Sequence, residues 1–248
     1  MIYGLYHSAA GMMVNEYRQD VLANNLANAE TVGFKPMRAV FAERAPASQA
    51  GERQGPSNEL LRPLSGGLWL GATRTDFNEG DIVRTEQPTD VALAGSGFLM
   101  VQQDGETLLT RNGAFVVDRD GALLSATDGA PVLNIAGAPI RVNPLGGEIS
   151  VSEEGTIRQG TAIVGRLGIV DVDDYNELRQ VGAARFRTEQ QTTPSLARVR
   201  QGALERSGAE PITELTNMLE SARAFQMNAQ MVTMQDQSIG RLINAVST

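Results

Sequence analysis

The chain has 248 residues, 42% of them apolar, which is enough for one large domain or two small ones with a buried core and excludes a disordered chain. Its formal net charge of -8 leaves no basic stripe for a phosphate backbone or an anionic membrane surface, so neither nucleic-acid binding nor membrane attachment is expected. The absence of cysteine removes disulfides, thiolate metal sites and a thiol nucleophile, and the 26 glycines with only 5% aromatics favour turns and modest cores, as in all-β architecture.

Residues 1–44 form the first part. The N-terminus has no basic start and no long apolar run, so it does not read as a secretory signal peptide. Ile2, Leu5, Ala9, Met12, Met13, Tyr17, Val21, Leu22 and Leu26 recur mostly every three or four residues, which predicts a helix. Asn28, Gly33 and Pro36 mark its end, and 37–41 has the character of resumed regular structure. His7 is the only histidine, which excludes histidine-pair metal sites and leaves a Ser-His-Asp triad without a plausible base. Residues 45–67, rich in Pro, Ser, Gly, Gln and Arg, read as a linker or long loop.

Residues 68–204 contain short apolar runs separated by Gly and Asp-Gly turns, the pattern of a Gly-rich antiparallel β domain with no room for βαβ crossovers. Strands are expected at 90–93, 98–101, 108–110, 114–117, 123–124, 140–142, 149–151, 157–158 and 165–172. Hairpin turns are expected at Asp104-Gly105, Asn112-Gly113 and Asp120-Gly121. Gly95-Ser96-Gly97 opens like a dinucleotide loop, but Met100 and a following strand make it a tight turn. Asp118-Arg119-Asp120-Gly121 opens like a calcium loop, but Gly129 stands where the closing glutamate is required. No catalytic residue, metal site or cofactor is expected.

The last part, 205–248, reads as one long helix beginning near Pro211. Leu215, Met218, Ala222, Phe225, Ala229, Val232, Ile239, Ile243 and Val246 fall on alternating three- and four-residue steps, interrupted only at Asp236, as in a coiled coil. Such a helix is roughly 55 Å long, more than a β domain of this size needs for its own core. Its natural partner is the N-terminal helix. The fold expected is therefore mixed: an all-β core domain inserted between N- and C-terminal helices that form a coiled-coil assembly domain.

Several blocks now carry a resemblance. Asn24-Asn25-Leu26-Ala27-Asn28 with Thr31 and Gly33-Phe34-Lys35 resembles the N-terminal signature of flagellar basal-body rod and hook proteins. The run from Thr89 to Leu99, the block Thr110-Arg111-Asn112-Gly113-Ala114-Phe115, and the helix around Met218 to Asn228 are similar to the core and C-terminal motifs of that family. The match is best to the proximal and distal rod proteins, with the proximal favoured; hook proteins are longer by an outer domain. The resemblance implies a structural subunit of the flagellar rod that self-assembles through its terminal helices and carries torque from motor to hook. It also implies partners among its own copies, other rod and hook proteins and the flagellar export apparatus, in the basal body, without a cleaved signal. Helical pattern and signature together give the expected assembly interface: Leu5, Met12, Asn25, Leu26, Asn28, Phe34, Leu215, Met218, Phe225, Val232, Ile239 and Ile243. The alternative reading is a monomeric or dimeric β-domain module binding polysaccharide or cell wall, with the helices as a dimerisation arm.

Overall fold

The computed structural model describes residues 2–43 and 67–246, so the expected linker lies, apart from Gly67, outside the described residues. The chain divides into two compact units. The first takes in residues 2–26, 37–43, 67–74 and 211–246; the second takes in 27–36 and 75–210. These bounds differ from the expected 68–204 core in three places: 27–36 and 205–210 belong with the β unit, and 68–74 belongs with the helices.

The first unit is built on two helices, α1 (Ile2–Ala27) and α2 (Pro211–Val246). Pro211 opens α2 where its missing N–H costs nothing, and Glu214 places a negative charge on the first turn. No further proline interrupts its 36 residues, giving a helix about 54 Å long. The helices run antiparallel, since Gly4 lies against Gln235, Gly11 against Asn228, and Asn15 against Ser221. A short antiparallel pair joins Phe41–Glu43 to Leu68–Leu70 in the same unit, with Phe41 opposite Leu70.

The second unit is an antiparallel β structure. Its largest sheet has six strands in the order Arg179–Gln180, Arg185–Arg187, Glu106–Thr110, Phe98–Gln103, Ile169–Asp171 and Thr193–Pro194. The central hairpin turns at Asp104-Gly105, both with positive φ (51° and 83°), the backbone that matches strand twist. Successive side chains of the central strand face opposite ways and both faces are covered. Leu99 and Val101 join a core with Val91, Leu93, Phe115 and Ile157. Phe98 joins Leu109, Val170 and Phe186, against which Phe77 and Tyr175 pack.

Three expected strand features differ. Asn112-Gly113 is not a hairpin turn: Glu106–Thr110 pairs with Phe98–Gln103 and Arg185–Arg187, while Phe115–Val117 pairs with Leu123–Ser125. Gly113 instead lies against Val91, whose N–H donates to the Gly113 carbonyl at 3.0 Å. The expected strand 165–172 is two, Ala162–Arg166 and Ile169–Asp171, interrupted where Gly168 passes the backbone carbonyls of Leu133 and Asn134. Residues 140–142 form bridges and single hydrogen bonds rather than a ladder, Arg141 pairing with Ala122.

Candidate functional site

The contact face of α2 alternates in a way the apolar pattern did not show. Met218, Phe225, Val232 and Ile239 repeat every seven residues and are half-buried, as expected of a seam. The second heptad position is polar throughout: Glu214, Ser221, Asn228 and Gln235, of which Ser221 is completely buried. Leu215 and Ile243, expected in the seam, are instead exposed at 50% and 62%. The difference of one residue arises from what α1 offers. Gly4 and Gly11 leave space for polar side chains, and the Ser221 hydroxyl donates to the Asn15 carbonyl at 3.0 Å. On α1, Leu5, Met12 and Leu26 are half-buried. The opposite face of α2 presents Leu219, Met227, Met231 and Met234 beside Leu215, all about half exposed.

Asn25, expected at an interface between subunits, is buried within its own unit. Its side chain copies a peptide pairing: Nδ2 donates to the Met37 carbonyl at 2.8 Å, and Oδ1 accepts the Met37 N–H at 2.9 Å. It also bonds the carboxylate of Glu214. Burial pushes the Glu214 carboxyl above its ordinary value, opposed by Asn25 and Arg38, and its Oε2 is buried without a hydrogen-bond partner. A carboxyl that holds its proton more tightly when folded stabilises the helix pair fully below the unfolded value of 4.5 and loses that contribution as pH rises through the higher folded value. Glu214→Gln is therefore expected to melt at a higher temperature than wild type at pH 7, with the difference vanishing below pH 4.5. Melts of both proteins followed by helical circular dichroism check this; a constant difference across pH would contradict it.

The second unit contains a cluster that the motifs included but the helical pattern did not reveal. Phe34, expected at the assembly interface, is fully buried against Ala29 and Ala209 and is a core residue of this unit. Next to it Lys35, the only lysine of the chain, is also buried; its ammonium donates to Glu205 Oε1 at 2.5 Å and to the Asn78 carbonyl at 2.6 Å. Glu205 Oε1 also accepts the Gly80 N–H at 2.9 Å, and Oε2 lies 3.3 Å from Arg111 Nη1. Arg111 in turn donates to the carbonyls of Leu93 and Gly95 and lies over the Phe98 ring at 5.5 Å. Burial lowers the Lys35 pKa, with Glu205 opposing the shift. Backbone bonds run alongside: the Gly33 N–H donates to the Glu205 carbonyl at 2.8 Å, and the Gly208 N–H to the Phe34 carbonyl at 2.9 Å. Thus Gly33–Lys35 and 205–208, the segments that lead towards the two helices, are held side by side by a buried ionic clasp. Asn28 lies just before this segment, its carbonyl accepting the Thr31 N–H at 3.0 Å.

Among the described residues no cluster of histidine and carboxylate groups is placed to hold a metal ion, and no helix is both long and apolar enough to cross a membrane. A β unit locked by buried ion pairs and a helix pair with an apolar outer face define a structural assembly protein. Family models agree. The flagella basal body rod protein model matches residues 5–35, the flagellar hook protein FlgE/F/G D1 domain matches 92–159, and the flagellar basal body rod FlgEFG protein C-terminal model matches 200–245. The flagellar basal-body rod protein FlgF of Caulobacter vibrioides is 33% identical, over 92% of this chain and 91% of its own. The flagellar basal-body rod protein FlgG of Buchnera aphidicola from Schizaphis graminum is 30% identical over 98% and 99%, and that of Bacillus subtilis 29% over the same shares. The chain belongs to the flagellar basal-body rod protein family. It is a structural protein and not an enzyme, and these relatives give no support to the polysaccharide-binding alternative. Lys35, Arg111 and Glu205 fall one in each of the three matched regions.

Proposed function

We propose that the chain is built into the flagellar rod through the outer face of α2, packing against further copies and other rod and hook proteins, and so carries torque from motor to hook. The observation that supports this most is the apolar face left on α2 once α1 has taken the other side: Leu215, Leu219, Met227, Met231 and Met234 remain exposed along five turns. Large apolar side chains left exposed over that length, among Glu220, Arg223, Gln226 and Gln230, mark an interaction site. Leu215 and Ile243 face neighbouring subunits in this reading, with Leu5 and Met12 flanking them. Met218, Phe225, Val232 and Ile239 hold the helix pair inside one subunit, and Leu26, Asn25, Asn28 and Phe34 fix where α1 ends. The acidic charge fits a protein that binds no nucleic acid and inserts into no membrane. The family resemblance favours the proximal part of the rod and a route through the flagellar export apparatus without a cleaved signal.

The double substitution Leu219→Asp with Met231→Asp tests the assembly face. Both side chains are about half exposed, so the isolated protein is expected to keep its helix content and to change in stability by no more than about 0.5 kcal/mol per site. Incorporation into purified basal bodies and swimming are expected to be lost, because two charges would be buried at the subunit contact without partners. Normal motility of this variant would remove α2's outer face as the seam.

A further inference from the structure

The row of polar residues on the inner face of α2 is matched, step for step, by the chain it faces. On α1, positions 4, 11, 18 and 25 are seven apart; on α2, positions 235, 228, 221 and 214 run back at the same interval. A Cβ placed on Gly4 would stand 2.7 Å from Gln235 Nε2, and one on Gly11 would stand 3.0 to 3.1 Å from three atoms of the Asn228 amide group. Both glycines are therefore notches that receive an amide. Ser221, the smallest side chain in the α2 row, lies against Asn15, to whose carbonyl its hydroxyl donates at 3.0 Å, and Asn25 meets Glu214 through a hydrogen bond. The amide of Asn228 donates to its own helix at the Ala224 carbonyl, and Gln235 Oε1 is buried with no partner. Little binding energy comes from these contacts. Polar residues in a helical seam lower stability relative to an apolar row while restricting which partner and which register are accepted.

We propose that this notch-and-amide row is the element that selects α1 of the same chain as the inner partner of α2 and fixes the register of the pair. A second α2 is rejected because it brings Gln235, Asn228, Ser221 and Glu214 to the places where glycine is needed. A slip of one heptad in one direction drives Arg18 onto Asn228; in the other it carries Asn25 beyond the start of α2 and deprives Glu214 of its partner. Met218, Phe225, Val232 and Ile239, by contrast, are permissive, since apolar side chains pack acceptably against many partners. The inference concerns pairing inside a subunit and holds whether or not the outer face is the rod seam.

The chain has no cysteine, so introduced pairs report without background. The full-length protein carrying Gly11→Cys with Asn228→Cys is compared with the offset pair Gly4→Cys with Asn228→Cys. Each is oxidised gently as an equal mixture of nitrogen-14 and nitrogen-15 protein, and linked peptides are weighed. The 11–228 pair is expected to close within single chains, in excess over mixed-isotope links by on the order of a hundredfold at micromolar protein, because effective concentrations within a chain are millimolar. The offset pair is expected to stay below about a tenth of that yield, since a disulfide cannot bridge cysteines whose Cβ atoms stand a full heptad apart. Mixed-isotope links at comparable yield, or equal yield from the offset pair, would overturn the proposal. A second arm uses no cross-link. Gly11→Leu is expected to abolish slow amide exchange in both helices, and adding Asn228→Ala, which empties the space opposite, to restore it. Unchanged protection in Gly11→Leu, or no restoration by Asn228→Ala, would also overturn it. Neither arm requires a rod, so its failure is distinct from failure of the assembly face.

Discussion

Replacing Glu205 by alanine is expected to destabilise the protein by about 3–5 kcal/mol, a large part of the 5–15 kcal/mol that holds an ordinary domain together. The side chain is 1% exposed, and its loss strands two cations, Lys35 at 1% and Arg111 at 4%, while the Gly80 N–H loses its acceptor. Breaking one member of a buried ionic group costs far more than the intact group contributes, because the remaining charges keep their desolvation penalty. Replacing Lys35 by methionine, which leaves Arg111 facing Glu205, is expected to cost less than the loss of Glu205. The defect should also depend on pH. Burial holds the Lys35 pKa below 10.5, so the unfolded chain binds the proton more readily, and stability rises with pH between the lowered folded value and 10.5. Removing Glu205 deepens that shift, so the penalty of Glu205→Ala is expected to shrink as the solution is made alkaline. Urea titrations of the three proteins at two pH values decide the matter. A Glu205→Ala midpoint equivalent to less than about 1 kcal/mol of loss would show that the clasp is dispensable.

Gly113→Ala is expected to be the most damaging added methyl group among the described glycines, costing more than about 4 kcal/mol or preventing soluble expression. The added Cβ would stand 1.8 Å from the Val91 carbonyl oxygen and 2.8 Å from its carbon, and a backbone cannot rotate out of the way as a side chain can. Relief requires moving Val91–Ala94, which carries the buried Val91, Ala92 and Leu93 and pairs with Arg198–Gln201. Gly105→Ala is the control. That glycine has φ 83° but nothing within 4 Å of its would-be Cβ, so only backbone strain of about 1–2 kcal/mol is expected. Thermal unfolding of the pair measures the contrast, and equal losses would show that crowding at Val91 is not what position 113 requires.

Position 113 also shows where reading the sequence reaches its limit. Asp104-Gly105 and Asn112-Gly113 look alike as dipeptides between apolar runs, yet only the first joins paired strands. The second is glycine because another backbone passes it, and that neighbour lies more than twenty positions earlier in the chain. Local features were legible: the end of α1 at Ala27, Pro211 at the start of α2, and the alternation of Phe98, Leu99, Met100 and Val101 across a sheet. The helical seam was legible in half. Met218, Phe225, Val232 and Ile239 are apolar and periodic, whereas Ser221, Asn228 and Gln235 become seam residues only once Gly4 and Gly11 face them. Phe34 read as an interface residue because it follows the signature; its partners Ala29 and Ala209 close over it from both ends of the chain. Lys35, Arg111 and Glu205 carry no periodicity, and a charge pair spanning 170 positions leaves no trace in a single sequence.

That span of 170 positions also orders events in time. Closing so long a loop costs entropy that grows with the logarithm of its length, and contacts distant in sequence form late. A chain synthesised from its N-terminus presents Lys35 early, but the carboxylate it needs arrives only when more than four-fifths of the chain has been made. Until then the lysine keeps its water and Gly33–Lys35 has no strand to lie against. The unit that begins at residue 27 can lock only after residue 208 has joined it. The chain is thus held open by its own topology for almost the whole of its delivery, and the last segment before α2 is the one that shuts it.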